Sequence, residues 1–182
     1  MKKKIIYIVL IIIIATIGIF AYFKSKKTVV SEEIHYHAGF VVFDNGKKVD
    51  FSDLKYMNVE PCTVPGKKEE ETPEHNQLEK AHLHDGVGDV VHVHRLDSKW
   101  GDLFTNIKYP IDYSKVTAFI NNQEVADIQN ITIKPYDSLV IFIGTVDKRS
   151  LASQDPGKNL LLQAVTVDHI KNTESMSESC GN

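Results

Sequence analysis

Six of the chain's eight histidines fall in three H-x-H pairs: His35/His37, His82/His84 and His92/His94. Random placement of eight histidines in 182 residues would give about 0.35 such pairs, so the spacing needs a cause. In a β-strand, residues two apart point to the same side, so each pair sets two imidazoles on one face. The stretch "HLHDGVGDVVHVH" (82–94) holds two of the pairs around a Gly/Asp-rich middle. Folded as a hairpin centred at Gly88, it puts His84 opposite His92 and His82 opposite His94. Opposed residues share a face, with Cβ atoms roughly 4.5–5.5 Å apart. Four imidazoles then gather on one side, and Ala81, Leu83, Val91 and Val93 form an apolar side for the core.

Neutral imidazoles clustered in this way are a ligand set for a transition metal ion, with zinc and copper leading on ligand chemistry. Asp85 and Asp89 adjoin the pairs, and either can accept the second ring N–H of a ligating histidine and so orient it. The His35/His37 strand is expected to close over the histidine face, while Tyr36, Ala38, Phe40 and Val42 bury elsewhere. His35, His37, His82, His84, His92 and His94 together exceed one tetrahedral shell, which leaves a two-ion centre open. The competing reading is an exposed sheet face whose histidines are ordinary polar groups titrating near neutral pH, as on a cell-envelope interaction module. A small metal-dependent enzyme is a third reading. It would need an open coordination position and a general base, and only Asp85 and Asp89 adjoin the cluster. The chain has no H-E-x-x-H, phosphate loop or Ser/His/Asp order, so the pattern favours binding over catalysis.

These histidines depend on the elements that place them. "HYHAGFVVFDNGKKVDF" reads as two strands around an Asn-Gly turn at 45–46. "KKEEETPEHNQLEK" is a solvated loop or short exposed helix holding His75. In "DSKWGDLFTNIK", Trp100, Leu103, Phe104 and Ile107 mark one face of a short helix with Ser98 placed to cap it. "KVTAFINNQEVADI" is a strand, an Asn-Asn turn and a short strand. "NITIKPYDSLVIFIG" adds a strand on each side of the "KPYDS" turn. Asp155 and Pro156 open a C-terminal segment in which Leu160 to Ile170 is expected to be helical, followed by a disordered "TESMSESCGN". The order hairpin, helix, strand, short strand, strand between Lys80 and Gly144 is a β-grasp-like ββαβββ arrangement within an α+β fold.

The N-terminus bears on location. "MKKK" precedes an unbroken apolar run from Ile5 to Phe23, followed by "KSKK". Nineteen helical residues span roughly 28 Å, about the thickness of a bilayer's hydrocarbon core. A cleaved signal peptide would have a shorter apolar core and small residues at its end, so an uncleaved anchor is expected. The layout is a membrane anchor at 1–27, an extracytoplasmic His-rich domain at 28–150, and a C-terminal helix and tail at 151–182. The protein is then a single-pass cell-membrane protein. Six of the 21 Lys+Arg precede Thr28, leaving 15 against 24 Asp+Glu, a formal net charge of −9 that argues against nucleic acid as a partner. Cys62 and Cys180 form no C-x-x-C, but in an oxidising compartment they can pair as one disulfide.

The sequence of "HYHAGFVVFDNGKKVDF", "AHLHDGVGDVVHVH", "WGDLF", "VTAFINNQEV" and "DSLVIFIG" resembles a poorly characterised family of membrane-anchored, His-rich bacterial and archaeal proteins. In that pattern an H-x-H strand with a short hairpin precedes an H-T-H-D strand and an I-H-x-E strand, then a "WG" helix and ubiquitin-like strands. The likeness covers about Glu33 to Gly144. It points to His35, His37, His82, His84, Asp85 and His92. His94 stands where the pattern has a carboxylate, and "GVGD" departs from it in the turn. Some members carry a protein-disulfide-isomerase label, which this chain lacks the C-x-x-C to support.

Overall fold

The central strand is β1 (Tyr36–Asp44), and its sequence YHAGFVVFD explains its place. Ala38, Phe40 and Val42 point to one face and His37, Gly39, Val41 and Phe43 to the other, and all of these residues are buried. A strand covered on both sides loses polar–apolar alternation, as parallel central strands do. Its parallel partner is β6 (Ser138–Ile143, SLVIFI), in register from Gly39↔Ser138 to Asp44↔Ile143. A computed structural model describes residues 34–58, 72–146, 148–151, 153 and 159–176, all within the compact unit Glu33–Asn182. The expected anchor at Ile5–Phe23, Cys62 and Cys180 lie outside the described residues. Among the described residues, no helix is long and apolar enough to cross a membrane.

The fold is mixed α+β. Its sheet runs β2 (Lys47–Lys48), β1, β6, β4 (Val116–Ile120), β5 (Gln123–Val125), with β3 (Val90–Val93) also paired to β1. The last residues of β1 pair with β2 and its first four with β3, both on the side away from β6. The two expected tight turns form. Asn45 and Gly46 have φ of 47° and 78°, and Asn121 and Asn122 have φ of 52° and 65°. Such left-handed pairs match the twist of the strands they join.

Two expected strands are reduced to single bridges. The hairpin from 82 to 94 contributes β3, but its first arm pairs only at His82. The chain turns sharply at Asp85–Gly86, where Val87 N–H donates to the His84 carbonyl at 3.1 Å. It then runs against the Phe51–Ser52 backbone. A Cβ at Gly88 would lie 2.4 Å from the Ser52 nitrogen, so glycine permits this approach. Consequently β1, which lies before the Lys80–Gly144 stretch, is the strand beside β6. The strand expected before "KPYDS" is likewise one bridge, Thr132 to Lys99. Its backbone is used by the neighbouring helix instead: Trp100 N–H donates to Ile131 O, and Ile133 N–H to Ser98 O.

Among the described residues the α-helices are α1 (Pro73–Leu78), α2 (Trp100–Asn106), α3 (Lys148–Leu151) and α4 (Val167–Ser175). Trp100, Leu103, Phe104 and Ile107 are all buried, as their spacing predicts. They seal one sheet face against Phe40, Val91, Val93, Leu139 and Ile141. Lys99, not Ser98, caps α2, its N–H donating to the Asp102 carboxylate at 2.9 Å. Ser98 is buried and its hydroxyl donates to the Arg95 carbonyl.

The other face carries Val41, Phe43, Val90, Val140 and Phe142, packed against Val165 and Ile170. The C-terminal helix begins later than expected. A 3-10 turn covers Leu160–Gln163, Val165 lies outside any helix, and Thr166 caps α4 by accepting from His169 N–H at 3.2 Å. The reason is a close crossing: a Cβ at Gly39 would sit 2.4 Å from Val165 Cβ, so a bare backbone on β1 receives the valine. This α4 face of the sheet is also the histidine face.

Candidate metal centre

The three H-x-H pairs come together across three adjacent segments of that face. His37 and His92 are directly paired on β1 and β3, and His82 forms the bridge to His92 on the far side of β3. The observed pairing, His82 with His92, differs by two residues from the expected His82 with His94. A slip of two preserves the face on which each side chain points, whereas a slip of one would invert it. The imidazoles therefore stay together and Leu83, Val91 and Val93 stay in the core.

The rings form a lattice two deep and three wide. In one row His92 lies between His37 and His84, with ring centroids 4.2 and 3.6 Å away. In the other His94 lies between His35 and His82, at 4.7 and 5.2 Å. The His35/His37 pair thus extends the sheet sideways; it does not fold over the histidine face as a cap. His37, His82 and His92 are buried, His84 and His94 partly so, and His35 is exposed.

Among the described residues, His35, His37 and His92 are the group suited to hold a metal ion, with ligand atoms all within 4.8 Å of one another. His37 Nε2 and His92 Nδ1 lie 2.7 Å apart, one donating a hydrogen bond to the other. Two nitrogens on one tetrahedral zinc at about 2.05 Å each are about 3.3 Å apart, so an ion in place of that proton would spread the pair by about half an ångström.

Several rings are held from behind. His84 Nδ1 is 2.6 Å from Asp85 Oδ2, and His82 Nδ1 is 2.9 Å from the Leu78 carbonyl. His37 Nδ1 faces Glu174 Oε1 at 3.6 Å. An acceptor on one ring nitrogen leaves the other as the ligand atom, the usual arrangement behind a metal-bound histidine. Asp89 plays no such part for the six: its carboxylate meets His169 Nε2 on α4 at 3.1 Å.

The electrostatics favour the ligand form of the rings. Burial first, then the neighbouring imidazoles His84, His37, His82 and His35, push His92 far below the ordinary histidine range. Burial, followed by His82, His35, His84 and His37, lowers His94 to about 3. Both are neutral at neutral pH, with a lone pair available to a cation.

Glu174, Tyr136 and His169 were not legible as parts of this region. Glu174 lies in "TESMSES", which reads as a polar tail, and only the fold of α4 brings it to His37. Comparison of the chain with protein-family models, with curated proteins and with solved structures finds no match. The functional reading therefore rests on the geometry of the lattice.

Proposed function

We propose that this chain is a membrane-anchored, extracytoplasmic protein that binds a transition metal ion, zinc or copper, for metal handling or sensing. The observation that carries the reading is the convergence of His37 on β1, His35 just before that strand, and His92 on the paired β3. Three imidazoles leave a coordination position for water, a further protein group or a delivered ligand. Acceptors behind His82 and His84, and the lowered pKa of His94, support the same chemistry across the rest of the lattice. The apolar run Ile5–Phe23 between lysine clusters supports the anchor. Membership of the His-rich anchored family belongs to the same proposal. So does a β-grasp-like assignment, supported by a parallel β1–β6 pair flanked by antiparallel partners.

The test is metal content and affinity of the full-length chain, purified in detergent, with Zn²⁺ and Cu²⁺. The wild type is expected to retain stoichiometric metal after desalting, and His37→Ala or His92→Ala to lose it. Weak binding that neither substitution changes would overturn the reading.

A further inference from the structure

The residue behind His37 comes from the far end of the chain, and the way it is held is unusual. Glu174 sits on the last turn of α4, its Oε1 3.6 Å from His37 Nδ1 and its Oε2 accepting a hydrogen bond from Tyr136 Oη at 3.0 Å. Tyr136 in turn donates its backbone N–H to the His37 carbonyl at 2.8 Å. The three residues close a ring around one imidazole: backbone of His37 to Tyr136, hydroxyl of Tyr136 to Glu174, carboxylate of Glu174 to the ring of His37.

Tyr136 also violates local preference. It is the third residue of the Lys134–Asp137 turn, after Pro135, and has φ of 62°. That left-handed position belongs to glycine or asparagine, and a bulky aromatic there is strained. Such strain persists where the surroundings hold it, and it concentrates at functional sites. Here the surroundings are Glu174 at the hydroxyl and Lys171 Nζ 5.5 Å from the ring centre. Both are on α4, which the Gly39–Val165 crossing fixes against β1 two residues from His37.

We propose that Glu174, held by Tyr136, is a positioning residue for the metal centre: it accepts the Nδ1 proton of His37 and so commits Nε2 to the ion. This rests on the metal-binding reading above. At 3.6 Å the carboxylate is within a few tenths of an ångström of hydrogen-bond distance; its side chain is 36% exposed, while His37 is 1% exposed and paired within the sheet. The relation matches those of His84 to Asp85 and His82 to Leu78 O, but the acceptor here lies 137 residues along the chain, on a separate helix.

The experiment uses the full-length chain in detergent. Zn²⁺ affinity is measured by competition with a chelating dye for wild type, Glu174→Gln and Tyr136→Phe, with circular dichroism confirming that each is folded. The ring ¹⁵N shifts of His37 are read in the same samples. Glu174→Gln is expected to keep the stoichiometry but weaken binding about ten- to a hundredfold. The Nδ1-protonated signature of His37 should be lost with it, and Tyr136→Phe should shift both in the same direction by less. A helix-packing role alone would leave the ¹⁵N shifts in place. If wild type binds stoichiometric Zn²⁺ and both variants match it in affinity and ¹⁵N shifts, this inference is overturned alone. A wild type that takes up no stoichiometric metal overturns the metal reading and this inference together.

Discussion

The two faces of the sheet are built from the same strands but are held in different ways. Along β3, Val91 and Val93 enter a face sealed by the apolar side of α2, while His92 and its neighbour His94 enter a face shared between hydrocarbon and imidazole. The α2 cover is a wedge of Trp100, Leu103, Phe104 and Ile107. The α4 cover rests on a valine over a glycine, a buried isoleucine, and two polar contacts, Glu174 with His37 and Asp89 with His169. Strand alternation thus lets one element supply stability on one side and chemistry on the other.

That contrast can be broken at its strong side first. Trp100→Ala empties a fully buried site and is expected to cost about 3–5 kcal/mol in urea denaturation. A loss under about 1 kcal/mol would mean that α2 is not the main anchor of the fold. Gly39→Ala attacks the other cover, since its Cβ meets Val165 at 2.4 Å. The expected cost is about 1–3 kcal/mol from overpacking. Amide-exchange protection should fall in α4 and hold in α2, and equal loss in both would erase the distinction.

Acid should also tell the faces apart. His94 titrates at about 3 in the fold, below the unfolded value of roughly 6.5, and His92 is shifted the same way. The unfolded chain therefore binds more protons between those values, so stability rises with pH through that window and is complete above it. Lowering pH below roughly 6.5 should destabilise the metal-free protein progressively, and His94→Gln should flatten the slope. Trp100→Ala should lower the curve without changing its shape. The smallest effect is at Asp89→Asn: its pair with His169 is solvent-exposed, and its loss is expected to cost under about 1 kcal/mol.

What could be read in the sequence followed from local rules. Asn-Gly and Asn-Asn turns and the Trp100 face each depend on a few neighbouring residues. The histidine lattice was legible for a different reason: doublets fix which face each ring takes, and an even slip in pairing leaves that intact. The slip itself was not legible, because it depends on Gly88 meeting the backbone of Phe51 and Ser52. Nor was the position of β1 beside β6, a pairing across about a hundred residues that no local pattern encodes. The late start of α4 came from the same kind of cause, a contact between Gly39 and Val165.

His37 and His92 are 55 residues apart in sequence yet joined ring to ring. An ion bound to both is a cross-link that ties off a long loop, and in the unfolded chain that loop would have to be closed at an entropic cost. Such an ion acts as a removable staple. At a free concentration a thousandfold above its dissociation constant it would add about 4 kcal/mol to folding. Chelation would then loosen the fold as well as empty a site, linking metal supply to the lifetime of the folded domain.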